Sequence, residues 1–216
     1  MTKLSIVVCA RNEANHVYRV LTELRDVYPD AELILVDNAS DDGTAETARL
    51  IVGVRVVSEA RRGKGAAMRK GAEAASNPWI LFHDADLEYN VNDSVEVVAS
   101  AINNDSFCIG ARLVAYDTVL ASSWIANKII QTLLKWRTGI HVPDVLSGTR
   151  CLQRAIFVEL NTKSVQFGIE TEMTRQLLSK GVRFTQASVR FCPRNTMQGK
   201  KIRAWHLFEL MWRAIG

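Results

Sequence analysis

The sequence predicts an α/β fold, a mostly parallel central sheet flanked by helices, and three observations predict it. Short runs of aliphatic and β-branched residues alternate with amphipathic stretches through the first half of the 216 residues, the rhythm left by successive βα units. The strand runs are apolar at consecutive positions, as in Trp79-Ile80-Leu81-Phe82, which fits strands covered on both faces. Polar residues capable of chemistry follow directly after each run, where open sheets of this kind bind their ligands.

In chain order, Leu4–Cys9 reads as the first strand and Ala14–Val27 as an amphipathic helix. Leu33–Val36 is the second strand, followed by a helix from Thr44 to Ile51. Val54–Ser58 and Gly65–Ala75 form the third strand and helix, Trp79–Phe82 and Ser94–Ile102 the fourth pair. The second half is less regular. Phe107–Gly110 reads as a strand, Ser122–Trp136 as a helix, and a loop around Pro143-Asp144 leads to Leu146-Ser147-Gly148-Thr149-Arg150. Thr171–Ser179 reads as a helix, Phe184–Phe191 as a strand and Ile202–Ile215 as a terminal helix. There is no internal repeat, low-complexity segment or linker.

The length suits one domain with a full core. A net charge of +4 favours anionic ligands or an anionic surface, but no Lys/Arg block is long enough to indicate nucleic acid. The four cysteines contain no C-x-x-C pair, and Cys9 and Cys108 lie in apolar runs. Buried free thiols in a reducing compartment are therefore expected. Leu4 to Ala10 is too brief for a signal-peptide core, and no run of eighteen apolar residues occurs. A cytoplasmic location follows as the expectation.

The most informative stretch is His83-Asp84-Ala85-Asp86-Leu87-Glu88. Two carboxylates one residue apart at the open end of a buried strand can hold Mg²⁺ or Mn²⁺ against a diphosphate, because such hard cations complete their shells with phosphates and water. The pair alone fits a surface turn equally well. Asp37 to Thr44 reads as a turn and helix cap for Asp42, Gly43 and Thr44, which leaves Asp37 at a strand end where it can accept hydrogen bonds from a base or ribose. Arg61-Arg62-Gly63-Lys64-Gly65 precedes a small-residue helix. Its glycines and cations suit phosphate at a helix N-terminus, with a solvated basic loop as the alternative, and it is not a Walker A loop.

Asn12-Glu13-Ala14, the 37–44 segment, Arg62-Gly63-Lys64-Gly65, Asp84-Ala85-Asp86-Leu87, Gly110-Ala111-Arg112, Leu146 to Arg150, and Arg194 with Gly199-Lys200-Lys201 occur in that order. The ordered set resembles family 2 inverting glycosyltransferases of the GT-A fold, in the branch of dolichyl-phosphate mannose synthases and bacterial polyprenyl-phosphate glucosyltransferases. The resemblance covers nearly the whole chain. It implies a single GT-A domain over 1–216, with a nucleotide-sugar half (1–112) and an acceptor half (113–216), a GDP-mannose or UDP-glucose type of donor, and a divalent metal. By the same resemblance Ala10, Arg11, Glu13, Asp37, Lys64, Asp84 and Ala85 bind the nucleotide sugar. Asp84, Asp86 and Glu88 are the metal ligands, Asp86 the principal one. Asp86, Arg112, Asp144 and Arg194 are the catalytic set, and Arg150, Lys200 and Lys201 meet the acceptor. The chain departs from the usual pattern where Arg11 replaces an aromatic and where Asn38-Ala39 replaces Asp-Gly.

Inverting transfer needs in-line attack on the anomeric carbon as the nucleoside diphosphate leaves. A hydroxyl acceptor requires a base, for which Asp144 is the best candidate, with Glu170 and Glu172 in a further acidic segment. A lipid phosphate is already anionic and requires cations instead, so Arg112, Arg150, Arg194 and Lys200 favour a polyprenyl or dolichyl phosphate. Arg150 has a second reading, as a brace paired with Asp144. The alternatives are a soluble transferase acting on a hydroxyl and a catalytically silent nucleotide-sugar-binding subunit. Ser122–Trp136 and the terminal segment carry tryptophans with flanking cations, which suits peripheral contact with a membrane surface. Packing onto the sheet or against a partner, including a membrane protein, is the alternative.

Overall fold

Leu4–Ala10 (β1) lies at the centre of the first half, between parallel partners Glu32–Asp37 (β2) and Trp79–Asp84 (β4). The computed structural model describes residues 3–113, 121–193 and 206–215, with side chains described for 3–112, 125–193 and 210–215. Ala14–Val27 (α1) follows β1, Thr44–Arg49 (α2) follows β2, and Val54–Ser58 (β3) pairs in parallel with β2. Lys64–Ala74 (α3) returns the chain to β4, and a 3₁₀ turn, Val91–Asp93, opens Ser94–Asn103 (α4). Phe107–Leu113 (β5), Ala121–Thr138 (α5), Arg150–Gln153 (β6), Arg154–Glu159 (α6), Ile169–Ser179 (α7), Phe184–Arg190 (β7) and His206–Ile215 (α8) complete the described elements.

These strands form one sheet in the order β3-β2-β1-β4-β6-β5-β7. All pairs are parallel except those of β6, which runs antiparallel to β4 and to β5. The predicted α/β architecture is therefore present, with β6 inserted as a reversed strand between the two parallel blocks. Neither β6 nor α6 is predicted from the sequence. Four residues headed by an arginine do not read as a buried strand, yet Arg150 is fully buried.

The apolar runs feed two cores, one on each face of the sheet. Val7, Ile34, Val36 and Phe82 face α3, α5, α6, α7 and α8, whereas Ile6, Val8, Leu33 and Leu35 face α1 and α4. Each fully buried aliphatic side chain contributes about 1.5–3 kcal/mol relative to exposure, so the alternation fixes the register of every strand. Gly71 is where α3 meets the sheet, because a Cβ there would overlap Val7. The thiols of Cys108 and Cys151 are buried and unbridged, and burial pushes the Cys9 thiol up to about 12. Among the described residues no helix is long and apolar enough to cross a membrane.

Candidate active site

Strands β1, β2 and β4 end side by side, and the loops beyond them are locked together. The Asn12 amide donates to Asp41 Oδ1 (2.9 Å) and its carbonyl oxygen accepts the Asp41 N–H (3.1 Å). The Glu13 N–H donates to Thr44 Oγ1 and the Ala14 N–H to Asp42 Oδ2. Asp42 and Thr44 are thus structural, as the turn reading of that segment expects, and Asp41 joins them. Asp37, the last residue of β2, is buried, and its Oδ1 has no hydrogen-bond partner within the protein. A buried acceptor without a donor is costly, and a ligand hydroxyl or base N–H beyond the strand end would satisfy it. Arg11 and Glu13 stand in the same loop, at the end of β1 after Ala10.

The departures at Asn38 and Ala39 have physical explanations. The Asn38 amide donates to the carbonyls of Glu59 (3.1 Å) and Arg61 (2.8 Å), while its Oδ1 accepts the Gly63 N–H (2.6 Å). A carboxylate could not donate to two carbonyls, so asparagine ties β2 to the Arg61-to-Gly63 loop. Ala39 has φ +56°, the left-handed region in which a Cβ costs about 1–2 kcal/mol. Ala39→Gly is therefore expected to stabilise the fold by about 0.5–1 kcal/mol, since the greater freedom of glycine in the unfolded chain offsets part of the relief. A thermal melt should rise by roughly 1–4 °C; a fall would show that the methyl group packs usefully.

At the end of β4 the structure brings together residues from three distant segments. Lys64 Nζ lies 2.6 Å from Asp84 Oδ1 and 2.7 Å from Glu170 Oε1, with all three side chains largely buried. Burial opposes the charge of Lys64, but the two carboxylates outweigh it and hold the ammonium above its ordinary value. Burial likewise opposes ionisation of Asp84, and the Lys64 charge reverses this, holding the carboxyl below the usual range. The other face of Asp84 packs on Gly148, where a Cβ would overlap the carboxylate. The Gly148 N–H donates to Tyr89 Oη (2.8 Å). His83 is buried with Nδ1 on the Asp84 carbonyl (2.8 Å), and burial lowers its pKa. At the start of α3 the Gly65 and Ala66 N–H groups donate to the Val165 carbonyl (2.8 and 3.3 Å), so those two amides are already taken by the protein.

Asp86 lies past the strand end, its Oδ1 accepting the Glu88 N–H (3.2 Å), with Ala85 buried beneath it and Leu87 at φ +59°. Strained backbone of this kind concentrates at functional loops. The three expected metal ligands are not gathered: among the described residues no three His, Cys, Asp or Glu side chains converge to hold a metal. Asp84 is engaged by Lys64, and Glu88 lines a cleft of about 250 Å³ with Arg19, Glu23 and Arg190, whose walls include neither Asp84 nor Asp86. The Asp86 carboxylate, past the strand end, has the hard oxygen chemistry a divalent ion would take, with diphosphate and water completing its shell.

On the acceptor side Arg112 and Asp144 form a bidentate pair, Nε–Oδ2 2.6 Å and Nη2–Oδ1 2.7 Å, with the Arg112 N–H also on Oδ2 (3.1 Å). Asn127 of α5 donates to Asp144 Oδ1 (3.3 Å), and the Arg112 guanidinium lies 4.9 Å from the Phe191 ring centroid. Arg150 does not reach an acceptor. It is fully buried, donating to the carbonyls of Val145 (3.1 Å), Ser147 and Glu170 (3.4 Å). It also does not pair with Asp144, whose carboxylate belongs to Arg112. Both oxygens of Glu172 are engaged as well, by the N–H groups of Lys163 and Ser164 and by Arg213 at 3.7 Å. Arg194, Lys200 and Lys201 lie outside the described residues. Sequence reasoning did not single out Tyr89 or Phe191, which carry no motif signal.

A family model described as Glycosyl transferase family 2 matches residues 5–160. The glycosyltransferase AglJ of Haloferax volcanii is 30% identical over 186 residues, covering 85% of this chain, which spans 61% of that relative's length. The polyprenol monophosphomannose synthase of Mycolicibacterium smegmatis is 20% identical over 217 residues, 92% of this chain and 82% of the relative. A glucosyl-3-phosphoglycerate synthase from Mycobacterium tuberculosis, solved with Mn²⁺, UDP-glucose and phosphoglyceric acid, superposes with a TM-score of 0.76 at 18% identity. That superposition covers 99% of this chain and 80% of the other.

Proposed function

The chain belongs to glycosyl transferase family 2 and has the GT-A fold, and we propose that it moves a hexose, with inversion, from a GDP- or UDP-hexose to a polyprenyl or dolichyl phosphate. One observation carries the choice of acceptor. Asp144, the carboxylate offered as a base, and Glu170 and Glu172 of the further acidic segment are each engaged by a cation or by N–H donors. A hydroxyl acceptor would need one of them open to its proton, whereas an anionic phosphate has no proton to lose. The synthases of polyprenyl-phosphate sugars among its relatives support the same choice.

In this reading Ala10, Arg11, Glu13 and Asp37 hold the nucleoside, the orphaned Asp37 oxygen taking a donor from the ribose or base. Asp86 would hold Mg²⁺ or Mn²⁺, which supplies Lewis-acid neutralisation of the departing diphosphate when bound. Lys64, fixed between Asp84 and Glu170, offsets the Asp84 charge at the same strand end beside Ala85, which lessens its repulsion of the diphosphate. Arg112 binds the acceptor phosphate through the N–H groups that Asp144 leaves over, and Asp144 acts by aiming it. Arg194, Lys200 and Lys201 complete the cation supply. A phosphate oxygen attacks the anomeric carbon, that C–O bond forms as the bond to the nucleoside diphosphate breaks, and the configuration inverts. A lipid acceptor also calls for contact with a membrane surface or a membrane-protein partner at the cytoplasmic side.

A panel of GDP- and UDP-sugars with Mg²⁺ or Mn²⁺, with and without polyprenyl phosphate, tests the reading. One donor should release nucleoside diphosphate at least tenfold faster when the lipid phosphate is present. The glucosyl-3-phosphoglycerate synthase likeness supplies the rival outcome: turnover driven by phosphoglycerate or another hydroxyl, with no response to the lipid phosphate, would replace it.

A further inference from the structure

Helix α5 divides its apolar residues unevenly. Ile130 and Leu134 are fully buried in the core, but Trp136 is 75% exposed and Ile140, just past the helix end, 38%. On α8, Leu210 and Ala214 are buried while Trp212 is 72% exposed and Ile215 43%. The two helix ends meet, since Arg137 Nε donates to the Ile215 carbonyl (3.2 Å). Two tryptophans and two isoleucines thus stand exposed around one junction of helix ends, an apolar display that a soluble surface does not need.

Charge identifies the occupant. The stretch 121–143 contains Lys128, Lys135 and Arg137 and no acidic residue, while α8 contains one acid and one base, Glu209 and Arg213, so the two segments together are net basic. A second copy docking through this face would bring like charges together, whereas an anionic bilayer attracts them, at about 1 kcal/mol per basic residue near the surface. Tryptophan beside Lys and Arg is the composition of interfacial helices. The active site is near: Asn127, which holds Asp144, precedes Trp136 by about 14 Å of helix at 1.5 Å per residue.

We infer that the joined ends of α5 and α8 form a docking surface for an anionic membrane, entered by Trp136, Ile140, Trp212 and Ile215 and steered by Lys135 and Arg137. The inference rests on the lipid-phosphate reading and is tested apart from it. Sedimentation with phosphatidylcholine vesicles containing phosphatidylglycerol should bring down the wild type, pure phosphatidylcholine should bring down far less, and 0.5 M salt should release it. W136S/W212S should lose at least tenfold in vesicle affinity while its melting temperature and its turnover of a short, water-soluble prenyl phosphate stay unchanged. Lys135→Glu, which leaves both indoles in place, should weaken binding at low salt only.

Equal sedimentation of wild type and W136S/W212S overturns the inference. So does a wild-type dimer that W136S/W212S dissociates, or retention only on vesicles that carry a membrane-protein partner. Turnover of the short prenyl phosphate without vesicle binding removes the docking surface and leaves the acceptor reading standing. Vesicle binding without turnover of any lipid phosphate does the reverse.

Discussion

Asp86→Ala is expected to lower sugar transfer by about 10²–10³-fold or more, the scale on which losing one preorganised charge partner of a transition state is felt. Asp84 and Asp86 are two residues apart, yet they stand in different surroundings. Asp84 ends β4, packs on Gly148 and is neutralised by Lys64 at 2.6 Å. Asp86 has turned out of the strand on a loop whose backbone reaches φ +59° at Leu87, and the Glu88 N–H steadies its carboxylate. Asp86→Asn keeps the shape and an oxygen for that N–H, and it should lose nearly as much activity as alanine, because the missing quantity is charge. Neither change should move stability by more than about 0.5 kcal/mol, the usual range away from buried features. Mn²⁺ titration followed by electron paramagnetic resonance supplies the second readout: weaker binding in both variants is expected. Activity within tenfold of wild type in Asp86→Ala would remove Asp86 from the centre of the site.

The elements that were legible are those whose hydrophobic pattern is local. Ala14–Val27 and Val54–Ser58 have the bounds their sequences predict, and β1 and β4 differ only by a residue or two at their ends. Strand β6 was hidden because its head, Arg150, reads as a surface charge, and only carbonyls from residues 145, 147 and 170 make its burial tolerable. Helix α6, six residues long, is too short for helical periodicity to declare itself. At the site, single residues were legible and their pairings were not. Lys64 reads as a phosphate ligand and Asp84 as a metal ligand until the βα loops place them 2.6 Å apart. Asp144 reads as a base until the same carboxylate is found gripped by Arg112. Such pairings join segments 20 to 106 positions apart, a long-range register that spacing along the chain does not encode.

The largest stability effect is expected from Lys64→Met. It removes the cation shared by Asp84 and Glu170 and leaves two carboxylates in a largely buried site, the class of change that costs about 3–5 kcal/mol. At pH 7 the melting temperature should fall by the order of 10 °C. The pH dependence distinguishes this from a simple packing defect. In the wild type Asp84 is held below its unfolded value, so its contribution is complete above an unfolded pKa of about 3.9 and is lost as pH falls through the folded value. Lys64 is held above its unfolded value, so its contribution is complete below about 10.4 and is lost as pH rises through the folded value. The Lys64–Asp84 pair therefore stabilises fully between about pH 4 and pH 10. In Lys64→Met burial acts on Asp84 without its counterweight and raises its pKa, so acidification from pH 7 to 5 should recover stability that the wild type does not gain. Lys64→Arg should not rescue, because a planar fork cannot reproduce the compact contacts at 2.6 and 2.7 Å. A loss at pH 7 below 1 kcal/mol, or one indifferent to acid, would mean that Gly148 and the α3 turn hold Asp84 without the lysine.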